Sequence, residues 1–251
     1  MSDPRPRGYD DGYFKGKAQA DHVFDRLDQW KGTEREFRFA LWGLGWGTWR
    51  DPLGDWYFNE SQRKGLLFSS WFFPYAHLTP KVQVEAWLKT PRSPYFPIFV
   101  DYERSKQYRT IPSASHLLEC FDRLEQATGE MAGGYSRKEL MDGHLATMTT
   151  ADLNRRWWWL AQYQKNRAVE DTREIILPNR LKRERVLFHQ TADKGGPPPG
   201  YTPRAKSQDW DRWIGTMPMG QFAGTINPPP ELSADAKLEL LWAAHPGGSH
   251  Q

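Results

Sequence analysis

A chain of 251 residues with a formal charge of only +3 is long enough for one domain with a full core and too nearly neutral to require a nucleic-acid partner. Its single cysteine, Cys120, excludes a disulfide framework and a cysteine-rich metal site. Thirteen tryptophans in a polar chain of mean hydropathy −0.79 suggest aromatic-lined pockets, although indoles pack cores as readily as they stack on sugars. The first residues, Met1 to Arg7, carry no apolar signal core, and no apolar run approaches the length of a bilayer span. The expectation is therefore a soluble protein made in a reducing cytoplasm without a signal peptide.

In chain order, Gly8 to Tyr13 is a short β-capable piece broken by acids and glycine, and Ala18 to Trp30 places Ala20, Val23, Phe24, Leu27 and Trp30 at helical spacing. Phe37 to Gly45 reads as a strand running into a glycine-rich loop. That loop is no phosphate cradle, because no Lys-Ser/Thr follows and Trp46 and Trp49 stand where bare backbone is needed. A short helix is predicted over Asn59 to Lys64, then a strand from Leu66 to Phe73 stopped by Pro74. Thr79-Pro80 opens a helix through Lys89 with Val82, Ala86 and Trp87 inward. Ser113 or Ser115 caps the next helix, which carries Leu117, Leu118, Phe121 and Leu124 and closes at Gly129; Cys120 lies on its apolar side. Strands follow over Met131 to Ser136, Arg155 to Tyr163 and Arg185 to Gln190. This alternation predicts an α/β fold, an irregular TIM-like barrel of mostly parallel strands.

Residues 1–215 form that barrel in this reading, interrupted by a charged, solvated excursion over 164–184. Residues 216–251 form a proline-rich tail whose amphipathic piece, Ser233 to Ala244, has Leu238, Leu241 and Trp242 to bury on the barrel or on a partner.

The stretch Pro97 to Glu103 carries the chemistry. An apolar run, Ile98-Phe99-Val100, ends in Asp101 and Glu103, which point the same way because side chains alternate along a strand. The carboxyl end of a barrel strand is where such folds place their chemistry, and two same-facing carboxylates there suit acid/base work on a glycosidic bond. The seven histidines form no pair at metal-ligand spacing, and no Gly-x-Ser-x-Gly elbow is present. No metal or cofactor is expected, and His189, near a strand end, is expected to be structural.

Taken together, the order of these pieces resembles the family 25 glycoside hydrolases, the N-acetylmuramidase lysozymes common among bacteriophage lysins. The resemblance rests on Gly8-Tyr9-Asp10, Asp101-Tyr102-Glu103, Thr128-Gly129 with Gly134-Tyr135-Ser136, Trp159 to Tyr163, Gln190 to Gly195, Asp209 to Gly215, and the helix containing Gln83 to Trp87. It implies that Glu103 is the general acid and then the base, and that Asp101 stabilises the developing positive charge or orients the substrate's acetamido group. It also implies that Asp10 and Asp209 line the same cleft, with Tyr135, Trp71 and Trp159 as sugar contacts. Three positions depart from the family pattern: Gly43 to Gly47 lacks a Lys and a Glu, Trp71-Phe72-Phe73 lacks a His, and His189 replaces a Trp.

The function implied is hydrolysis of the β-1,4 bonds of bacterial peptidoglycan at the cell wall, by a phage-derived enzyme acting free or as part of a virion. Its partners would be the glycan strand and other phage particle subunits, with no nucleic acid and no membrane span. The alternative is a non-catalytic virion structural or wall-binding protein built on the same barrel.

Overall fold

The computed structural model describes residues 5–12, 24, 31–33, 36–93, 95–106, 108–166, 170–195 and 208–226. Nine strands form one sheet: β1 (Arg7–Gly12), β2 (Phe37–Trp46), β3 (Trp49–Arg50), β4 (Leu67–Phe73), β5 (Phe99–Asp101), β6 (Gly133–Arg137), β7 (Trp157–Ala161), β8 (Val186–Gly195) and β9 (Gln208–Trp213). The sheet closes through β1–β2 into an eight-stranded barrel, with β3 hairpinned onto β2 outside the ring. Seven barrel strands run parallel. β9 runs against both of its neighbours, β8 and β1.

Helices α1 (Gly54–Arg63), α2 (Pro80–Trp87), α3 (Ala114–Thr128), α4 (Lys138–Gly143) and α5 (Thr150–Arg155) lie between the strands, and α6 (Met219–Ile226) follows β9. The expected strands and the mostly parallel barrel are present. Two details differ. The first of these helices starts at Gly54, five residues before the predicted Asn59, and in α2 Val82 is 41 % exposed while Val84 and Gln83 are buried. The Gln83 amide explains the rotation, because it donates to the carbonyls of Tyr75 and Leu78 and accepts from the Tyr75 N–H, anchoring the helix to the loop after β4. Ser113 is the cap of α3, accepting from the His116 N–H at 3.1 Å. Burial among Leu117, Phe121 and Leu124 pushes the Cys120 thiol up to about 12, so it is inert packing.

Side-chain alternation divides the core into two layers. Outward residues such as Trp42, Phe68, Val100 and Trp158 pack under the helices, while inward residues such as Phe39, Leu41, Phe99, Phe188 and Trp213 fill the barrel. Gly8 is glycine for this reason: a Cβ there would lie 1.8 Å from the Phe39 ring. Trp42, Trp87 and Trp158 are fully buried in the outer layer, each donating its indole N–H to an internal acceptor, so these three are core and not sugar platforms.

The wall beside β9 has a different cover. The connection from β7 to β8 has no α-helix among its described residues; Glu170 and Asp171 lie across the outer faces of β1, β8 and β9 instead. Glu170 accepts from Arg7 and twice from Arg212, and the Asp171 N–H donates to the Thr191 carbonyl. Ile175 and Leu181 are buried beneath it, so the charged stretch packs on the barrel over these residues, where the sequence suggested a solvated excursion. Below, Phe222 of α6 seals the amino-terminal mouth against Trp157, Phe96 and Trp213. The predicted tail helix, Ser233 to Ala244, and all of Ala18 to Trp30 except the buried Phe24 lie outside the described residues.

Candidate active site

At the carboxyl-terminal mouth of the parallel strands the inward positions change from aromatic to acidic. Asp10 comes from β1, Asp101 ends β5, and Glu103 follows two residues later. Asp209 comes from the start of β9; because that strand is reversed, its amino end lies at this mouth, with Asp209 directly opposite Asp10 in register. All four carboxylates line one cleft of about 400 Å³, with Trp71, Tyr135, Trp159 and Gln190 among the other walls. The residues singled out in the sequence are therefore brought together at one end of the barrel although they span most of the chain.

Gln190, on the inner face of β8, organises the floor. Its Oε1 accepts from the hydroxyls of Tyr135, at 2.7 Å, and Tyr163; its Nε2 donates to Asp10, at 2.5 Å, and to Asp209, at 3.4 Å. Only this amide orientation satisfies the carboxylates, which can accept but not donate when ionised. Asp10 also accepts from the Trp71 indole N–H at 2.9 Å. Trp71 reaches it across Gly43, where a Cβ would stand 2.5 Å from the indole. The glycine-rich stretch after β2 thus makes room for the indole. Trp71→Phe keeps an aromatic ring but deletes the donor with the pyrrole ring; a loss of about 1.5–3 kcal/mol in thermal or denaturant unfolding is expected, the usual worth of a hydrogen bond to a charged group.

Asp101 and Glu103 differ in surroundings. Asp101 is 8 % exposed, and its Oδ1 is buried without a hydrogen-bond partner. Burial, then the charge of Glu103, pushes its carboxyl well above the usual range, against the pull of Arg137. Glu103 is more open and accepts a hydrogen bond from Nη2 of Arg137, a guanidinium at the end of β6. Beneath the cleft a fifth acid, Asp211, is fully buried on the same face of β9 as Asp209. It accepts from Trp159 Nε1 at 2.8 Å. Burial, then the charge of Asp209, raises its carboxyl well above the usual range.

A raised folded-state pKa stabilises the fold below the unfolded value, near pH 4, and the contribution is lost as pH rises from there toward the folded value. Asp211→Asn copies the protonated carboxyl without titrating. Its melting temperature should fall less between pH 4 and 7 than that of the native protein, the remaining slope including that of Asp101. At pH 7 it should be the more stable by about 0.5–2 kcal/mol, the common range for stabilising replacements. An unchanged pH profile would contradict a raised Asp211 carboxyl.

Of the three predicted aromatic contacts, only Trp71 is partly open. Tyr135 and Trp159 are 5 % and 2 % exposed and lie 4.3 Å apart, centroid to centroid, with their polar atoms engaged below the surface. The open aromatic wall is made instead by Trp46, 5.4 Å from Trp71, and by Tyr75. Gln190, Tyr163, Arg137, Trp46 and Asp211 were not among the sequence candidates. Gln190, Tyr163 and Asp211 stood inside quoted motifs and Trp46 in the glycine-rich loop, whereas nothing local marks Arg137. His189 is wholly buried, with Nε2 3.0 Å from the Gln162 carbonyl, in keeping with a structural role. Among the described residues no group of three or more His, Cys, Asp or Glu side chains is placed to hold a metal ion.

No family model matches the sequence, and no curated protein matches it. Solved structures do. A bacterial lysozyme from Streptomyces coelicolor superposes with a TM-score of 0.65 at 11 % identity, covering 89 % of this chain and 97 % of that one. A family 25 lysozyme from Aspergillus fumigatus gives 0.63 at 17 % identity, covering 88 % and 99 %. The chain has the fold of the family 25 lysozymes. The catalytic domain of the endolysin ply40, from a bacteriophage of Listeria monocytogenes, is also similar, with a TM-score of 0.58, 15 % identity and coverage of 88 % and 98 %.

Proposed function

We propose that this chain is a muramidase, a glycoside hydrolase that cleaves the β-1,4 bonds of bacterial peptidoglycan. The observation that carries the reading is the convergence of Asp10, Asp101, Glu103 and Asp209 on one cleft of a barrel with the lysozyme fold. Glu103, the most open of the Asp101/Glu103 pair, gives its proton to the departing sugar oxygen and then accepts one from the attacking water. Asp101, whose carboxyl pKa is raised by burial and the Glu103 charge, offers its unpartnered Oδ1 to the N–H of the substrate's acetamido group. Asp10 and Asp209, both fixed by the Gln190 amide, supply negative charge toward the oxocarbenium-like transition state. Trp71, Trp46 and Tyr75 offer ring surface for the flanking sugars, and Tyr135 and Trp159 form the floor.

A phage setting, with the enzyme acting on the wall either free or from the particle, is supported by the similarity to an endolysin domain. The ion pair between Arg137 and Glu103 supports a second reading, a wall-binding protein that does not turn over, because a carboxylate held by a guanidinium has no proton to give. Turbidity of purified cell walls separates the two. Clearing by the native protein is the expected result; sedimentation with the walls but no clearing would overturn the hydrolase in favour of the binder.

A further inference from the structure

Behind the Glu103–Arg137 pair lies a second cavity of about 400 Å³, at the carboxyl ends of β6 and β7 under the β7–β8 connection. Arg137, Leu160, Ala161, Tyr163, Ile175 and Ile176 contribute to its walls, while Glu103 lines the first cleft, so the ion pair is the partition between the two spaces. Three features describe what it would take. Arg137 Nε is buried and has no hydrogen-bond partner, although Nη2 is on Glu103. The other cations at the rim are already matched: Lys138 donates to Asp142 and Asn179, and Arg173 to Asp171. Ile176 is 64 % exposed, the most open large apolar side chain described, and its N–H is pinned by the Gln162 amide oxygen at 2.7 Å, so the apolar lip is held in place. A guanidinium with an unused donor and an aliphatic lip, in a lining whose one acid is Glu139, suit a carboxylate on a short aliphatic group.

We propose that this second cavity receives a carboxylate carried on an aliphatic branch of the bound glycan, and that the carboxylate takes Arg137 from Glu103. The inference rests on the muramidase reading and resolves its internal conflict: Glu103 is restrained by Arg137 until a branched strand lies in both cavities, and only then is free to hold and donate a proton. Arg137 is a positioning residue in this scheme, since it acts through Glu103.

The test is a titration of the full chain with N-acetylalanine, followed by calorimetry or NMR. Because Glu103 and the ligand compete for one guanidinium, Glu103→Gln should bind the acid about tenfold more tightly than the native protein, as expected for removing a charge-assisted competitor. Adding Arg137→Gln should abolish that gain, and the exposed replacement Ile176→Ser, made in the Glu103→Gln protein, should weaken binding about threefold by removing apolar contact. N-acetylalaninamide, which lacks the carboxylate, should not show the gain. Equal affinity of the native and Glu103→Gln proteins for the acid, or equal affinity of Glu103→Gln for acid and amide, would overturn the subsite. Failure of the hydrolase reading appears separately, as walls left intact by the native protein.

Discussion

Glu103→Gln is expected to abolish clearing of purified cell walls, with a loss in kcat of order a hundredfold or more, while sedimentation of the protein with the walls stays within about twofold. The replacement is close to isosteric and removes the only ionisable group assigned to proton transfer. Glu103 is only partly buried, and its bond to Arg137 is the one hydrogen bond described for it, so the fold should tolerate the amide. The melting temperature should therefore change little, which separates a chemical loss from a structural one. A variant that clears walls at the native rate would show that proton transfer is done elsewhere, and Asp101, the nearest other carboxyl on the same strand end, would become the first candidate.

Gln190→Leu should cost both stability and activity. One amide satisfies two tyrosine hydroxyls and two carboxylates, and all of these partners would lose it together. Asp10 is 4 % exposed and would keep, of the side-chain donors described for it, the Trp71 indole. Unpaired buried donors and charged acceptors cost about 1–3 kcal/mol each and do not add fully, so a loss of about 3 kcal/mol is expected, or roughly 6–12 °C in melting temperature for a chain of this size. Wall clearing should fall by about a hundredfold, since two carboxylates would lose their fixed positions. Gln190→Glu makes the complementary case, because it preserves shape and inserts a third carboxyl between Asp10 and Asp209. Like charges at that spacing raise the folded-state pKa of the new group, so its stability should be near native close to pH 4 and should decline as pH rises. If Gln190→Leu unfolds within about 1 kcal/mol of the native protein, the amide is not the organiser of the floor.

Asp101 and Glu103 were legible in the sequence because strand periodicity is strict: they end an apolar run two residues apart. Asp10 and Asp209 entered only as what the family resemblance implies. The residues that act on those carboxylates were less legible. Arg137 looks like any basic residue at a strand end, and its contact with Glu103 spans 34 positions. Asp211 is the second acid of Asp209-Trp210-Asp211 and shares its face by alternation, but only the reversed β9 sets it below Asp209 in the barrel, against Trp159. The aromatic contacts divide the same way: Trp71 is partly open, whereas Trp159, equally conspicuous in the sequence, is 2 % exposed because its strand faces the centre of the barrel.

What the sequence by itself determined was the rhythm of strands and helices, the parallel barrel and the placing of Asp101 and Glu103 at a strand end. These follow from side-chain alternation, capping and breaker residues, which act within a few positions along the chain. Only the tertiary structure decided that β9 runs backwards and so carries Asp209 to the mouth by its amino end. It also decided that the charged connection is an ion-paired cover on the outer wall, that Gln190 joins two acids to two tyrosines, and that Arg137 stands between two cavities. Each of these depends on which distant strands become neighbours when the sheet closes, and closure is set by the packing of the whole barrel and not by any local preference.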